Sequence, residues 1–187
     1  MDCIRLGALA GISVALVFSL MWTSAVVVDG NWRLGEETLS ELGGDRPGAI
    51  YFNSGVVFAG VASLVFWLGL RCTVSKTILS RMGTLALFAS SVALIGVGVF
   101  PIDTGDPHTV ASYLFFSLML MAFLLLTIPF RDSPVFGKGY AIMSLAMAVV
   151  SLGVLLLISL ELAEAVAVAS MLLWVLILSA KMLLFIH

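Results

Sequence analysis

Charge is what this chain has least of: 11% of its 187 residues are Asp, Glu, Lys or Arg, against 61% that are hydrophobic. That balance lies outside the range of soluble domains and leaves no stretch from which a separate soluble domain could be built. The scarcity is also positional. Near the middle of the long apolar runs the polar side chains are small hydroxyls such as Ser63, Ser90, Ser91, Ser144 and Ser151. Carriers of ions and protons place ionisable groups or broken helices at that depth, so ion or proton coupling is disfavoured. A small-solute carrier is disfavoured with it, for want of a continuous polar path.

Histidine is nearly absent too. His108 and His187 fall at opposite membrane faces, so zinc, which takes several nitrogen or sulfur ligands, finds no ligand set, and a haem held by paired intramembrane histidines finds none either. An oxygen-rich acidic rim suits calcium better, but no metal site is expected and no cofactor is identified. The two cysteines, Cys3 and Cys72, both lie at helix ends on the side assigned below to the cytoplasm, where a structural disulfide is not expected. No nucleic-acid partner is expected.

What the chain does have is length of apolar sequence. A spanning helix needs roughly 20 mostly apolar residues, and charged or Gly/Pro-bearing breaks divide the chain into six such runs, 4–28, 49–70, 82–100, 107–130, 139–160 and 165–186. The first is too long for a secretory signal and is followed directly by further spans, so it counts as a helix. The expected fold is all-α: one polytopic membrane domain over 1–187, a six-transmembrane-helix bundle. Orientation follows from the bases. With the amino terminus inside, seven of them (Arg5, Arg71, Lys76, Arg81, Arg131, Lys138 and Lys181) are cytoplasmic and two, Arg33 and Arg46, are not. Both termini are then cytoplasmic by the positive-inside rule, in a multi-pass protein of the cell (plasma) membrane.

Chemistry gathers on the opposite face. Between the third and fourth runs, Pro101 stops one helix, Gly105 supplies a turn, and Asp106-Pro107 has the N-cap and first-position chemistry that starts the next. His108 therefore falls in a first helical turn, where the peptide dipoles favour neutral imidazole unless a carboxylate such as Asp103 or Asp106 answers it. Residues 29–48 hold five acids, Asp29, Glu36, Glu37, Glu41 and Asp45, and their centre, 36–42, reads as a short helix ending at Gly43-Gly44. A folded cover over the bundle mouth and a solvated acidic connector are equally weighted readings. Asn53 needs a hydrogen-bond partner because an unsatisfied amide in hydrocarbon costs several kcal/mol, and a helix clasp outweighs a ligand contact there. Gly7-x-x-x-Gly11 allows close backbone approach, first within the bundle and second in a homo-oligomer.

Taken together, Leu39-Ser-Glu-Leu-Gly43, Pro47, Tyr51-Phe-Asn-Ser-Gly55, Gly96-x-Gly-Val-Phe-Pro101 and His108-x-x-Ala-x-x-x-Phe-Phe116 resemble the prokaryotic integral-membrane family numbered 998 among domains of unknown function. More distantly, they are similar to six-span Frag/DRAM/Sfk-type proteins. The resemblance implies a six-helix bundle with the loop histidine on the non-cytoplasmic side, and relatives that work in lipid-anchor remodelling, kinase recruitment and autophagy. It maps Ser40, Gly43, Asn53, Phe100, His108, Ala111 and Phe116 onto the shared pattern and implies no catalytic role for them.

The leading expectation is a protein that binds or modifies a membrane lipid at an outward-facing polar pocket. Ser40, Glu41, Asn53 and Tyr113 would contact the ligand. In a catalytic version His108 is the base, Asp103 its orienting partner, and Ser112 or a water the nucleophile. The alternative is a non-enzymatic scaffold or sensor in which these residues only brace loops, and the residue types alone leave the presence of catalysis open.

Overall fold

The computed structural model describes residues 2–186. Six helices form, α1 (Asp2–Asp29), α2 (Ala49–Arg71), α3 (Ile78–Val99), α4 (Asp106–Arg131), α5 (Lys138–Leu157) and α6 (Leu160–Ile186), with 3-10 turns at Ser40–Gly43 and Ile102–Thr104. All six are long and apolar enough to cross a membrane, and no β-strand is present among the described residues. The chain is a multi-pass, all-helical membrane protein. Helix is the form such runs must take, since it satisfies every backbone group within the segment.

Local chemistry moves some boundaries from their expected places. Helix α3 starts at Ile78 rather than 82 because Thr77 and Ser80 form a capping box: Thr77 Oγ1 accepts from Ser80 N at 3.2 Å and Ser80 Oγ accepts from Thr77 N at 3.0 Å. At the start of α4 the N-cap is Gly105, at φ +73°, and not Asp106, which is the first helical residue and offers its charge to the helix dipole. Helix α5 stops at Leu157 and α6 starts at Leu160, not at 165. That shift puts Glu164 into the second turn of a helix instead of a connector.

Each helix packs on the next in sequence, and α6 returns to α1, so the six close into a ring. The tightest seam is α1 against α2. A Cβ at Gly7 would lie 2.5 Å from the Gly69 Cα, and Gly11 is covered by Phe66 and Ser179. Both glycines of the expected small-residue motif are therefore used inside the chain, on α2 and α6. Close approach here also brings Cys3 and Cys72 together. They are bonded, with Cα atoms 7.0 Å apart, which corrects the expectation of no structural disulfide: the redox argument rested on membrane side and carried no information about distance.

The ring is filled by aromatic rings around Trp174 of α6, which is fully buried against Phe66, Phe123 and Phe130 at centroid distances of 6.1, 5.2 and 6.0 Å. Its Nε1–H donates to Ser144 Oγ of α5 at 2.7 Å. Helix α5 is the loosest member. Its buried residues, Ala141, Ser144 and Ala148, end near its midpoint, and the last turn, Leu155, Leu156 and Leu157, is exposed.

The segment between α1 and α2 is a folded lid and not a solvated connector. Leu39 and Leu42 plug the ring and are 1% and 0% exposed. Trp32 is buried beside them and donates from Nε1 to the Thr38 carbonyl at 2.9 Å. Acids that look like surface charge in the sequence hold this shape. Asp29 Oδ1 accepts from the Asn31 and Trp32 backbone N–H groups at 3.2 and 2.8 Å. Arg46 pairs with Glu37 and lies 3.6 Å from Asp29.

The Arg46 guanidinium, donating to Glu37, holds the Glu37 carboxyl below its ordinary range. A carboxyl whose folded pKa is depressed adds stability that is fully present above its unfolded value, about 4.3, and that is lost as pH falls through the folded value. We expect the lid to loosen only below about pH 4.3, read as a change in Trp32 fluorescence. In Arg46→Gln the same titration should shift upward toward the ordinary carboxylate range, and an unchanged midpoint would refute the role of this pair.

Candidate functional site

Beneath the lid, two elements present buried polar groups to a common space. His108 lies in the first turn of α4, 7% exposed, with Nδ1 2.7 Å from the Phe100 carbonyl oxygen. A carbonyl only accepts, so Nδ1 carries a proton and donates it to Phe100. The orienting partner is thus a backbone carbonyl at the end of α3 in place of the expected Asp103. Asp103 is exposed in the second 3-10 turn, with its carboxylate against Gly44 of the lid.

Facing this, α6 contributes Glu164. Its Oε1 accepts from Ser40 Oγ at 2.6 Å and its Oε2 accepts from the Leu39 backbone N–H at 2.9 Å. One carboxylate therefore ties the lid to the ring at a separation of more than a hundred residues in sequence. No sequence signal short of the correct α6 boundary picks it out. A start at 160 rather than 165 would have set Glu164 one turn inside a helix, where a carboxylate needs donors.

A cavity of about 350 Å³ opens between α4, the second half of α5 and the start of α6. Its polar end is formed by Thr38, Ser40, His108, Ser112 and Glu164, and its body by Phe116, Leu120, Phe123, Leu152, Leu155 and Met171, with Tyr113 beside the opening. A second cavity of about 90 Å³ lies in the middle of the ring and shares Ser40, Ser112, Phe116, Glu164 and Met171 with the first. Small-molecule sites commonly occupy about 300–1,000 Å³, so only the larger has room for a ligand. Its opening follows from the loose end of α5, which leaves the α4–α6 gap uncovered there.

Of the expected site residues, Ser40, His108, Ser112 and Tyr113 line this cavity. The others serve the lid. Asn53 Nδ2 donates to the Gly43 carbonyl at 2.8 Å, so it ties α2 to the lid in place of the expected helix-to-helix clasp. Glu41 Oε2 accepts from the Thr38 N–H at 2.8 Å. One feature of the cavity wall is chemically open: the hydroxyls of Thr38, Ser112 and Ser151 are buried and have no partner in the protein. Buried hydroxyls in native structures are nearly always paired, and all three of these line the larger cavity. No group of three or more metal-ligating side chains occurs among the described residues.

Compared with known proteins, residues 12–181 match the family model described as "Protein of unknown function (DUF998)". No curated protein and no solved structure matches the chain.

Proposed function

The chain belongs to the DUF998 family, whose description names no activity, and we propose that it binds a membrane lipid in the cavity between α4, α5 and α6. The acyl part lies along Leu120, Leu152 and Leu155, and the head sits under the lid beside Ser40, His108, Ser112 and Glu164. The observation that carries this reading is a mostly apolar cavity whose end under the lid gathers Ser40, His108, Ser112 and Glu164. A lipid is the molecule that arrives from the bilayer with a polar end and an apolar end in that order. Its head meets the polar end at Ser40, His108 and Glu164 while its chain stays out of water. The further resemblance to lipid-remodelling six-span proteins forms part of the same proposal, as does the location in the cell membrane with both termini in the cytoplasm.

A lipid-modifying version has one specific support, an imidazole held at Nδ1 by the Phe100 carbonyl on the wall of a cavity that Ser112 also lines. In that version His108 takes the proton of Ser112 or of a water, and the Phe100 carbonyl, not Asp103, fixes the ring.

Purified protein should carry about one tightly held lipid per chain, identified by native mass spectrometry from nanodiscs. Leu120→Trp, which fills the cavity, should remove it without loss of the folded protein. Equal lipid content in the two proteins would sink the binding proposal. For the catalytic version, His108→Ala should abolish turnover of that lipid, whereas Asp103→Asn should leave it nearly unchanged.

A further inference from the structure

The polar end of the cavity has a one-sided hydrogen-bonding character. Each carboxylate oxygen of Glu164 has accepted one hydrogen bond, from Ser40 and from Leu39, and retains acceptor capacity. His108, held through Nδ1 by the Phe100 carbonyl, lines the same end of the cavity. No Lys or Arg lines the cavity, and the arginine of the lid, Arg46, is engaged by Glu37 and Asp29. The site therefore supplies unfilled acceptor capacity on a buried carboxyl group, with no Lys or Arg to act as a fixed cation.

An anionic phosphate head would leave water for an enclosure that offers no Lys or Arg to pair with it and places it beside the carboxyl group of Glu164, and an unpaired charge is costly there. An ammonium head satisfies the carboxylate but can only donate. It would leave the hydroxyl hydrogens of Thr38, Ser112 and Ser151 without acceptors. A hydroxyl head does both: its hydrogen reaches Glu164 while its oxygen takes a hydrogen from the serine and threonine hydroxyls. Several hydroxyls on one head match several such sites.

Resting on the lipid-binding reading above, we infer that the ligand is an uncharged, hydroxyl-headed lipid, an alcohol or polyol such as a monoacylglycerol, and that phosphate-headed lipids are rejected. Glu164 selects against the anion, and Ser112 and Ser151 recognise the hydroxyl oxygen.

Three probes with one acyl chain in common separate the alternatives: monooleoylglycerol, oleyl phosphate and oleylamine, each titrated into phosphatidylcholine nanodiscs holding the full chain, with bound probe counted by native mass spectrometry. Monooleoylglycerol should bind at least about tenfold more tightly than either charged probe. The double variant Ser112→Ala/Ser151→Ala should weaken it about tenfold, the loss expected for two neutral hydrogen bonds. Oleyl phosphate or oleylamine binding as tightly as the glycerol probe, with that binding lost in Leu120→Trp, would overturn the head-group inference and leave the lipid site standing. Failure of all three probes to bind, or binding that survives Leu120→Trp, would overturn the lipid site itself.

Discussion

Glu164→Ala is expected to release the lid from the ring. The substitution takes the acceptor from two partly buried donors at once, the Leu39 N–H and the Ser40 hydroxyl. A donor left without a partner costs about 1–3 kcal/mol. The lid would still be held by its own contacts, Asn53 to Gly43 and Arg46 to Glu37 and Asp29, so the change is local: hydrogen exchange should rise across 30–48 while the amides of α1 to α3 stay protected. On the proposed function, bound lipid should be lost as well, because Ser40 and Glu164 form part of the cavity wall. Glu164→Gln keeps one amide oxygen as acceptor and should fall between the two. Unchanged exchange in the lid of Glu164→Ala would refute the tether.

The second large effect is expected at Trp174. Aromatic-to-alanine changes in a packed core cost about 3–5 kcal/mol. Part of that figure is transfer from water, which does not apply when lipid tails are as apolar as the core. What survives in a bilayer is lost packing against Phe66, Phe123 and Phe130, with each well-placed aromatic pair worth about 0.5–1.5 kcal/mol. The lower end, about 3 kcal/mol, is therefore the expected loss for Trp174→Ala. It also strands Ser144, a fully buried hydroxyl whose partner is the indole N–H, on the helix with the fewest buried residues of the six. Hence α5 should detach first, seen as early proteolysis or exchange in Lys138–Leu157, before the midpoint of global unfolding. Trp174→Phe, which keeps most of the packing and removes only the donor, should loosen α5 with a smaller fall in that midpoint. A uniform destabilisation with no preference for α5 would contradict this account.

Much of the candidate site was legible in residue types, and the part that was not has a common cause. His108 was legible because a lone imidazole after Gly-Asp-Pro must sit at a helix start, and that depends only on local chain chemistry. Ser40 and Ser112 followed from their depth in the chain relative to it. Glu41, Asn53 and Asp103 sit at the same depth, yet each turns to the lid: Glu41 to Thr38, Asn53 to Gly43, Asp103 toward Gly44. Depth is encoded by position along a span, whereas the side of the helix on which a group lies relative to the cavity is not. Glu164 was missed because a boundary between two apolar helices, with no Gly or Pro at the junction, is the kind that hydropathy locates least well.

By itself the sequence determined the number of spans, the helical class and the separation of polar from apolar ends, because each of these is a property of one segment in contact with lipid. An apolar run without charge has to be helical in hydrocarbon whatever its neighbours do. Only the tertiary structure decided which helices adjoin, that Cys3 meets Cys72, that α5 opens at one end, and that a carboxylate of α6 clasps the lid. These helices are apolar on all sides, with little polarity difference between faces, so no hydrophobic stripe tells a helix which way to turn. Their arrangement is set instead by close approach at Gly7 and Gly69, by the fit of rings around Trp174 and by a few buried hydrogen bonds. All of those exist only between segments.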